Sequence, residues 1–140
     1  MKQGTDLKQI TKQISIKQIR LYAEASGDFN PIHVDEEYAR KSQYGQNIAH
    51  GMMVAASISE IMTSSFGSAW HSTGKMKIRF RAPVFPGDMI TATGHVKEIA
   101  ETNRGSEIRC TVTVTRQTGE VAISGDASIT VSSQVPTNTY

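Results

Sequence analysis

The chain contains one cysteine, Cys110, and no long run of apolar residues. A single cysteine excludes an internal disulfide framework and any metal site built from several thiolates, and it suits a reducing compartment. The amino terminus, residues 1–8, lacks the apolar core of a signal peptide. The least charged stretch, residues 51–66, falls short of the ~20 apolar residues that span a bilayer. We therefore expect a soluble, cytoplasmic protein with no membrane partner.

Strong net charge and nucleotide-binding glycine motifs are also missing. Charged residues make up 20% of the chain and the net charge is +2, so we expect no nucleic-acid partner and only a mild preference for anionic small molecules. There is no Gly-x-Ser-x-Gly motif and no phosphate-binding glycine loop, which disfavours covalent acyl transfer through serine. The four histidines show no metal-ligand spacing: His33, His50, His71 and His95. We expect neither a metal nor a cofactor.

The length of 140 residues fits a single domain, residues 1–140, with one core. The first half predicts a short strand over residues 8–14 and a helix over 16–26. Ser15 and Gln18 have the spacing of a capping box, and Gly27 can end this helix in the left-handed conformation.

A second capping signal follows at Asp35, which predicts a brief helix through about Lys41 and then a loop over residues 44–49. Residues 51–66 are small or apolar on nearly all sides of a helix. Such a helix must be enclosed by other elements.

The second half alternates apolar and polar residues with the period of half-buried strands. The predicted strands cover residues 75–82, 89–99, 107–115 and 121–131, with a bulge expected at Gly94. Turn residues at 86–88, 102–105 and 117–119 imply an antiparallel meander, and residues 132–140 form a polar tail. The fold class is therefore α+β: a five-stranded antiparallel sheet wrapped around a buried central helix.

The loop after the first helix carries the clearest chemical signal. Asp28 and His33 stand five positions apart, with Pro31 between them to restrict the backbone. A carboxylate and an imidazole held together can accept and donate protons. The structural alternative is that Asp28 and Asn30 form an Asx-type turn while His33 packs at the edge of the core.

The start of the apolar helix carries a second signal. A glycine at a helix start, here Gly51, leaves its backbone N–H open to a ligand oxygen and able to stabilise an oxyanion. Its alternative role is to allow tight entry into the helix. We expect His50, directly before it, to be a cap or a packed side chain, and Cys110 to be a small core residue.

These segments together resemble the MaoC-like hydratases, the (R)-specific enoyl-CoA hydratases of the hot-dog fold. The resemblance covers roughly residues 8–132. It is carried by Ser26-Gly27-Asp28-Phe29-Asn30-Pro31-Ile32-His33, then Ala49-His50-Gly51-Met52, then Phe80 with Pro83-Val84 and Gly87-Asp88.

The resemblance implies a reversible syn addition of water to a trans-2-enoyl thioester, giving an (R)-3-hydroxyacyl product. Asp28 and His33 would hold and activate the water and return a proton to the α carbon, while the Gly51 N–H polarises the thioester carbonyl. Ser59 and Asn30 would support the site, although a serine in a buried helix can instead bond to its own backbone. The family further implies a homodimer with sheets joined edge to edge.

Two competing functions remain open from the sequence. A 3-hydroxyacyl-acyl-carrier-protein dehydratase would use the same fold and residues. One predicted strand carries a basic stripe: Lys75, Lys77, Arg79 and Arg81. This stripe could bind the acidic carrier protein or the phosphates of CoA. Its alternative role is that of a solvated face. A non-catalytic acyl-thioester binding module would keep the pocket without turnover, but the joint presence of Asp28, His33 and Gly51 argues against it.

Overall fold

The computed structural model describes residues 1–132, so the predicted polar tail lies outside the described residues except for Ser132. Helices dominate the first half of the chain and strands the second, as expected for an α+β fold. The elements are β1 (Ile10–Gln13), α1 (Ile16–Ser26), α2 (Pro31–Val34), α3 (Glu36–Arg40), α4 (Gly51–Phe66), α5 (Ser68–Thr73), β2 (Lys75–Phe80), β3 (Met89–Thr102), β4 (Gly105–Arg116) and β5 (Val121–Val131). Among these helices, none has the length and apolar character needed to cross a membrane.

The five strands form one antiparallel sheet in the order β1-β3-β4-β5-β2. The predicted meander is confirmed for β3, β4 and β5 but is wrong for β2, which pairs with β5 instead of β3. Residues 81–88 therefore form a crossing connection rather than a hairpin turn. A turn signal such as that at 86–88 reverses the chain locally without selecting the strand that pairs next. Gly125 permits the pairing of β2 with β5, because a Cβ there would lie 2.2 Å from the Lys77 carbonyl oxygen.

Helix α4 begins and ends where the sequence predicts and lies against the sheet. It contacts β1, β3, β4 and β5, and it places Ile58, Ile61 and Met62 in the core, where none of them is exposed to solvent. Burial of each such side chain stabilises the fold by about 1.5–3 kcal/mol. The predicted enclosure of the helix is incomplete, however, since Met52 near its start is 58% exposed.

Strand β3 is irregular at a different position from the one predicted. The pairing with β4 is unbroken at Gly94, which faces Val112, and shifts instead between Val96 and Glu98. Gly94 makes room for packing, because a Cβ there would lie 2.8 Å from a methyl carbon of Leu7. The glycine therefore admits a core side chain, and the predicted bulge at Gly94 is wrong.

Helix α1 has the ends that its sequence predicts. The Ser15 hydroxyl accepts from the Gln18 N–H at 3.1 Å and the Gln18 side chain accepts from the Ser15 N–H at 2.9 Å, which completes the capping box. Gly27 adopts a φ of 77° and donates to the Ala23 carbonyl. The helix thus ends at a fixed residue, and the loop with Asp28 leaves it in a fixed direction.

Candidate active site

The loop after α1 is held by two consecutive Asx turns. The Asp28 carboxylate accepts from the Asn30 N–H at 3.2 Å, and the Asn30 side chain accepts from the Ile32 N–H at 3.2 Å. The predicted Asx-type turn of Asp28 and Asn30 is therefore confirmed. This turn is compatible with catalysis, because only one of the two carboxylate oxygens of Asp28 takes part in it. The Asx turns bring the chain directly into α2, where the sequence predicts a loop.

Helix α2 is a single turn with Asn30 as its N-cap and Pro31 at its first position, both of which favour a helix start. His33 is the third of its four residues. The Nδ1–H of His33 donates to the Ile48 carbonyl at 2.8 Å. Because a carbonyl oxygen can only accept, the hydrogen of a neutral His33 ring lies on Nδ1, and Nε2 carries a lone pair.

The loop over residues 44–49 is anchored so that this carbonyl stays in place. The Asn47 side chain donates to the Ile32 carbonyl at 2.9 Å, and the Ile48 N–H donates to the same oxygen at 3.2 Å. The Ala49 N–H donates to the Val84 carbonyl at 2.8 Å. Sequence reasoning did not identify Ile48, because a backbone carbonyl leaves no signature in the residue type.

The side chain of His50 contacts Asp28 and His33 and does not cap α4. His50 occupies the N-cap position of α4 but its side chain makes no capping hydrogen bond, so of the two expected roles it does not take that of a side-chain cap. Its Nε2–H donates to the Asp28 carbonyl at 2.9 Å, and its ring stacks on His33 with centroids 3.9 Å apart. The alternative expectation, a packed side chain, is confirmed.

One ligand atom each from Asp28, His33 and His50 lies within 4.8 Å of the others, which could suggest a metal site. The orientation of the rings does not suit one. The two imidazole planes are 24° from parallel and stacked, so their in-plane lone pairs run side by side and do not converge on an ion. A water molecule fits the group better than a cation does.

Gly51 is the first residue of α4 and lies on the wall of a cavity of about 350 Å³. As the first helical residue, it has a backbone N–H without a partner inside the helix. His33 lies on the same wall, so the cavity joins the predicted proton-handling residue to the predicted oxyanion donor. The remaining wall is largely apolar and includes Val54, Phe80, Val84 and Ile123. A cavity of this size and polarity suits a small apolar group with one polar end.

Arg81 lines the cavity, although its sequence position predicts a place in the basic stripe of one strand. It donates through Nε to the hydroxyl of Ser124. The other members of the stripe, Lys75, Lys77 and Arg79, are exposed and do not line this cavity. Arg81 follows the last residue of β2, where the alternation ends, and that position is the only sequence signal that separates it from the others.

Ser59 lies half-buried on α4, and it is not among the residues that line the cavity. The neighbouring Ser57 is buried and donates to the Val54 carbonyl at 2.6 Å, as a serine in a buried helix commonly does. A supporting role for Ser59 stays a prediction.

The connection over residues 81–88 carries the far wall of the cavity and is held by Asp88. This carboxylate is 5% exposed and accepts from Arg116 Nε at 2.7 Å and from the Phe85 N–H at 2.8 Å. Burial alone would raise the pKa of Asp88, but the hydrogen bonds from Arg116, Gln117 and Phe85 outweigh it and hold the pKa below its usual value. The ion pair thus fixes the segment that includes Val84.

Residues 2–119 match the MaoC like domain family. An (R)-specific enoyl-CoA hydratase of Rhodospirillum rubrum is 35% identical over 122 residues, which is 87% of this chain and 83% of that protein. A mitochondrial 3-hydroxyacyl-[acyl-carrier-protein] dehydratase of Arabidopsis thaliana is 31% identical over 124 residues, 88% of this chain and 74% of that protein.

Among solved structures, an (R)-hydratase from A. caviae involved in PHA biosynthesis superimposes with a TM-score of 0.83 at 26% identity. The match covers 94% of this chain and 97% of that structure. The predicted hot-dog fold is confirmed by this agreement.

Proposed function

The chain belongs to the MaoC-like domain family, and we propose on this basis that it is an (R)-specific enoyl-CoA hydratase. It adds water reversibly and syn across the double bond of a trans-2-enoyl-CoA, giving an (R)-3-hydroxyacyl-CoA. The observation that carries this proposal is that Asp28 lies next to His33, and that His33 lines a cavity whose wall also includes Gly51 at the start of α4.

Asp28 and His33 hold the attacking water between them. Their nearest ligand atoms lie within 4.8 Å, and two hydrogen bonds of about 2.8 Å each reach across that distance through one water oxygen. The neutral His33 ring, with its hydrogen on Nδ1, points a lone pair of Nε2 at the water. The Asp28 carboxylate accepts the other hydrogen of the water and orients it.

In the hydration direction, a water O–H bond breaks and its oxygen bonds to the β carbon of the substrate. The proton passes to the Asp28 and His33 pair and returns to the α carbon. Because both residues stand on one side of the bound substrate, hydroxyl and proton arrive on the same face, which is a syn addition. A positioned acid or base of this kind contributes about 10²–10⁴ in rate.

Gly51 acts on the other end of the conjugated system. Attack at the β carbon builds enolate-like charge on the thioester oxygen, and the free N–H at the start of the α4 helix can donate to that oxygen. The positive end of the helix dipole favours the same charge. Loss of a single donor of this type costs about 10²–10³ in rate.

We assign CoA as the carrier because the relative from Rhodospirillum rubrum is named for it, whereas the relative from Arabidopsis thaliana favours an acyl-carrier protein as the alternative. Arg81 at the cavity wall and the exposed Lys75, Lys77 and Arg79 on β2 offer positive charge to the phosphates of either carrier.

The enzyme acts as a homodimer in the cytoplasm under this proposal. β2 is an edge strand whose outer side has no partner within the sheet of the described residues. Phe80, the last residue of β2, is 55% exposed, and its ring meets Gly51, the chain neighbour of the exposed Met52; a second copy would cover both apolar side chains. The buried thiol of Cys110 suits a reducing compartment.

The test is hydration of trans-2-enoyl-CoA thioesters of several chain lengths, starting with crotonyl-CoA. The reaction is measured as the loss of absorbance of the conjugated enoyl thioester. Chiral analysis of the product should give the (R)-3-hydroxyacyl thioester. The same series is repeated with acyl-carrier-protein thioesters, and a much higher kcat/KM for these would assign the dehydratase alternative. Binding of acyl-CoA without hydration at any chain length would contradict the proposal and favour a non-catalytic binding module.

A further inference from the structure

His50 is buried beside both predicted catalytic residues without facing the substrate. It is 2% exposed and is not among the residues that line the cavity. Its ring lies between two others, with centroid distances of 3.9 Å to His33 and 4.7 Å to Tyr22. A side chain this buried offers almost no surface to a substrate, but it contacts the His33 ring and can fix where that ring lies.

The hydrogen bonds of His50 point to the same conclusion. Its Nε2–H donates to the backbone carbonyl of Asp28 at 2.9 Å, so the hydrogen of the neutral ring lies on Nε2. Its Nδ1 is buried and has no hydrogen-bond partner among residues 1–132. Leaving a buried polar atom unpaired costs about 1–3 kcal/mol, a cost that an apolar side chain of similar shape would avoid.

We propose that His50 is a positioning residue for the hydration reaction, and this inference rests on the proposed function. Its ring sets the plane of the His33 imidazole, and its Nε2–H holds the backbone that carries Asp28. Because His50 directly precedes Gly51, one side chain fixes the water-holding pair relative to the oxyanion donor. A misplacement of about 1 Å in such an arrangement can cost 10²-fold in rate.

Two substitutions separate the two contacts. His50→Phe keeps a flat ring against His33 but loses the donor to Asp28, whereas His50→Gln keeps a donor but loses the ring. We expect each to lower kcat for crotonyl-CoA hydration by about tenfold to hundredfold while KM stays within about threefold. The Kd for butyryl-CoA, which has no double bond to hydrate, should stay unchanged.

Tyr22→Phe is the matched control, since it keeps the second ring against His50 and changes only a hydroxyl; its kcat should equal that of the wild type. The pH profile of kcat should keep its shape in both His50 variants. Wild-type kcat in folded His50→Phe and His50→Gln would overturn the proposal, as would a loss confined to KM. A lost limb of the pH profile would also overturn it, by making His50 a proton-transfer group.

A measurement on the wild type covers the case in which the variants fail to fold. Long-range ¹⁵N–¹H spectra should assign the Nε2–H tautomer to His50 and the Nδ1–H tautomer to His33, with contacts between the two rings. An Nδ1–H tautomer for His50, or rings without mutual contacts, would overturn the positioning role. If instead the wild type hydrates no substrate, the proposed function fails while these spectra still test the geometry.

Discussion

The ring of Phe80 packs so tightly on the backbone of Gly51 that a Cβ added at Gly51 would lie 2.8 Å from Cε1 of that ring. Both residues line the cavity. The glycine therefore accommodates a ring from a distant strand, in addition to keeping its own N–H open. Phe80 in turn is a wall residue that contacts the residue carrying the predicted oxyanion donor.

This contact predicts how a substitution at Gly51 will behave. Gly51→Ala must displace the Phe80 ring, and since that side chain is 55% exposed, the ring can move without unfolding the protein. We expect kcat/KM for crotonyl-CoA to fall by about tenfold or more as the wall beside the N–H rearranges. In a Phe80→Ala background the same substitution should cost less, and a double-mutant cycle measures the difference. Strictly additive effects would show that the contact is not the cause.

The ion pair between Asp88 and Arg116 predicts a matched pair of stability effects. Asp88→Asn leaves the guanidinium without its buried partner and should lower the free energy of unfolding by about 3 kcal/mol. Glu120→Gln removes the exposed partner of the same arginine and should cost at most about 1 kcal/mol. Urea unfolding at neutral pH measures both. Equal losses would mean that burial of Asp88 is not what distinguishes the two pairs.

The same carboxylate predicts part of the acid sensitivity of the fold. Because the pKa of Asp88 is lower in the folded chain than its unfolded value of about 3.9, its contribution is fully present above that pH and is lost as the pH falls through the folded pKa. The free energy of unfolding of the wild type should therefore fall more steeply below about pH 4 than that of Asp88→Asn. Parallel curves for the two proteins would contradict this assignment.

Elements with local signals were predictable, whereas contacts between distant segments were not. The Ser15 capping box and the 51–66 helix are encoded by neighbouring residues, and the structure confirms both. The pairing of β2 with β5 and the packing of Phe80 on Gly51 depend on which distant segments meet, which periodicity does not encode. The carbonyl of Ile48 is a backbone atom, and any residue type would present it. The site thus combines two motifs visible in the sequence with a framework set by tertiary structure.

Cys110 offers a probe of the core in its native state. The thiol is buried, and burial raises its pKa to about 11, so almost no thiolate forms at neutral pH. We expect no reaction of the folded protein with a thiol reagent such as DTNB, and complete reaction once the chain is unfolded in guanidinium chloride. Rapid reaction of the folded protein would contradict the burial of this strand.

The most direct measurement of the central claim is the rate of crotonyl-CoA hydration by Asp28→Asn and His33→Ala. Each variant should stay folded and lose at least about 10² in kcat/KM, the usual scale for a lost acid or base. His95→Ala removes an exposed histidine on β3 that is not among the residues lining the cavity, and this variant should hydrate at the wild-type rate. Full activity in either Asp28→Asn or His33→Ala would contradict the assignment of these two residues as the pair that handles the water.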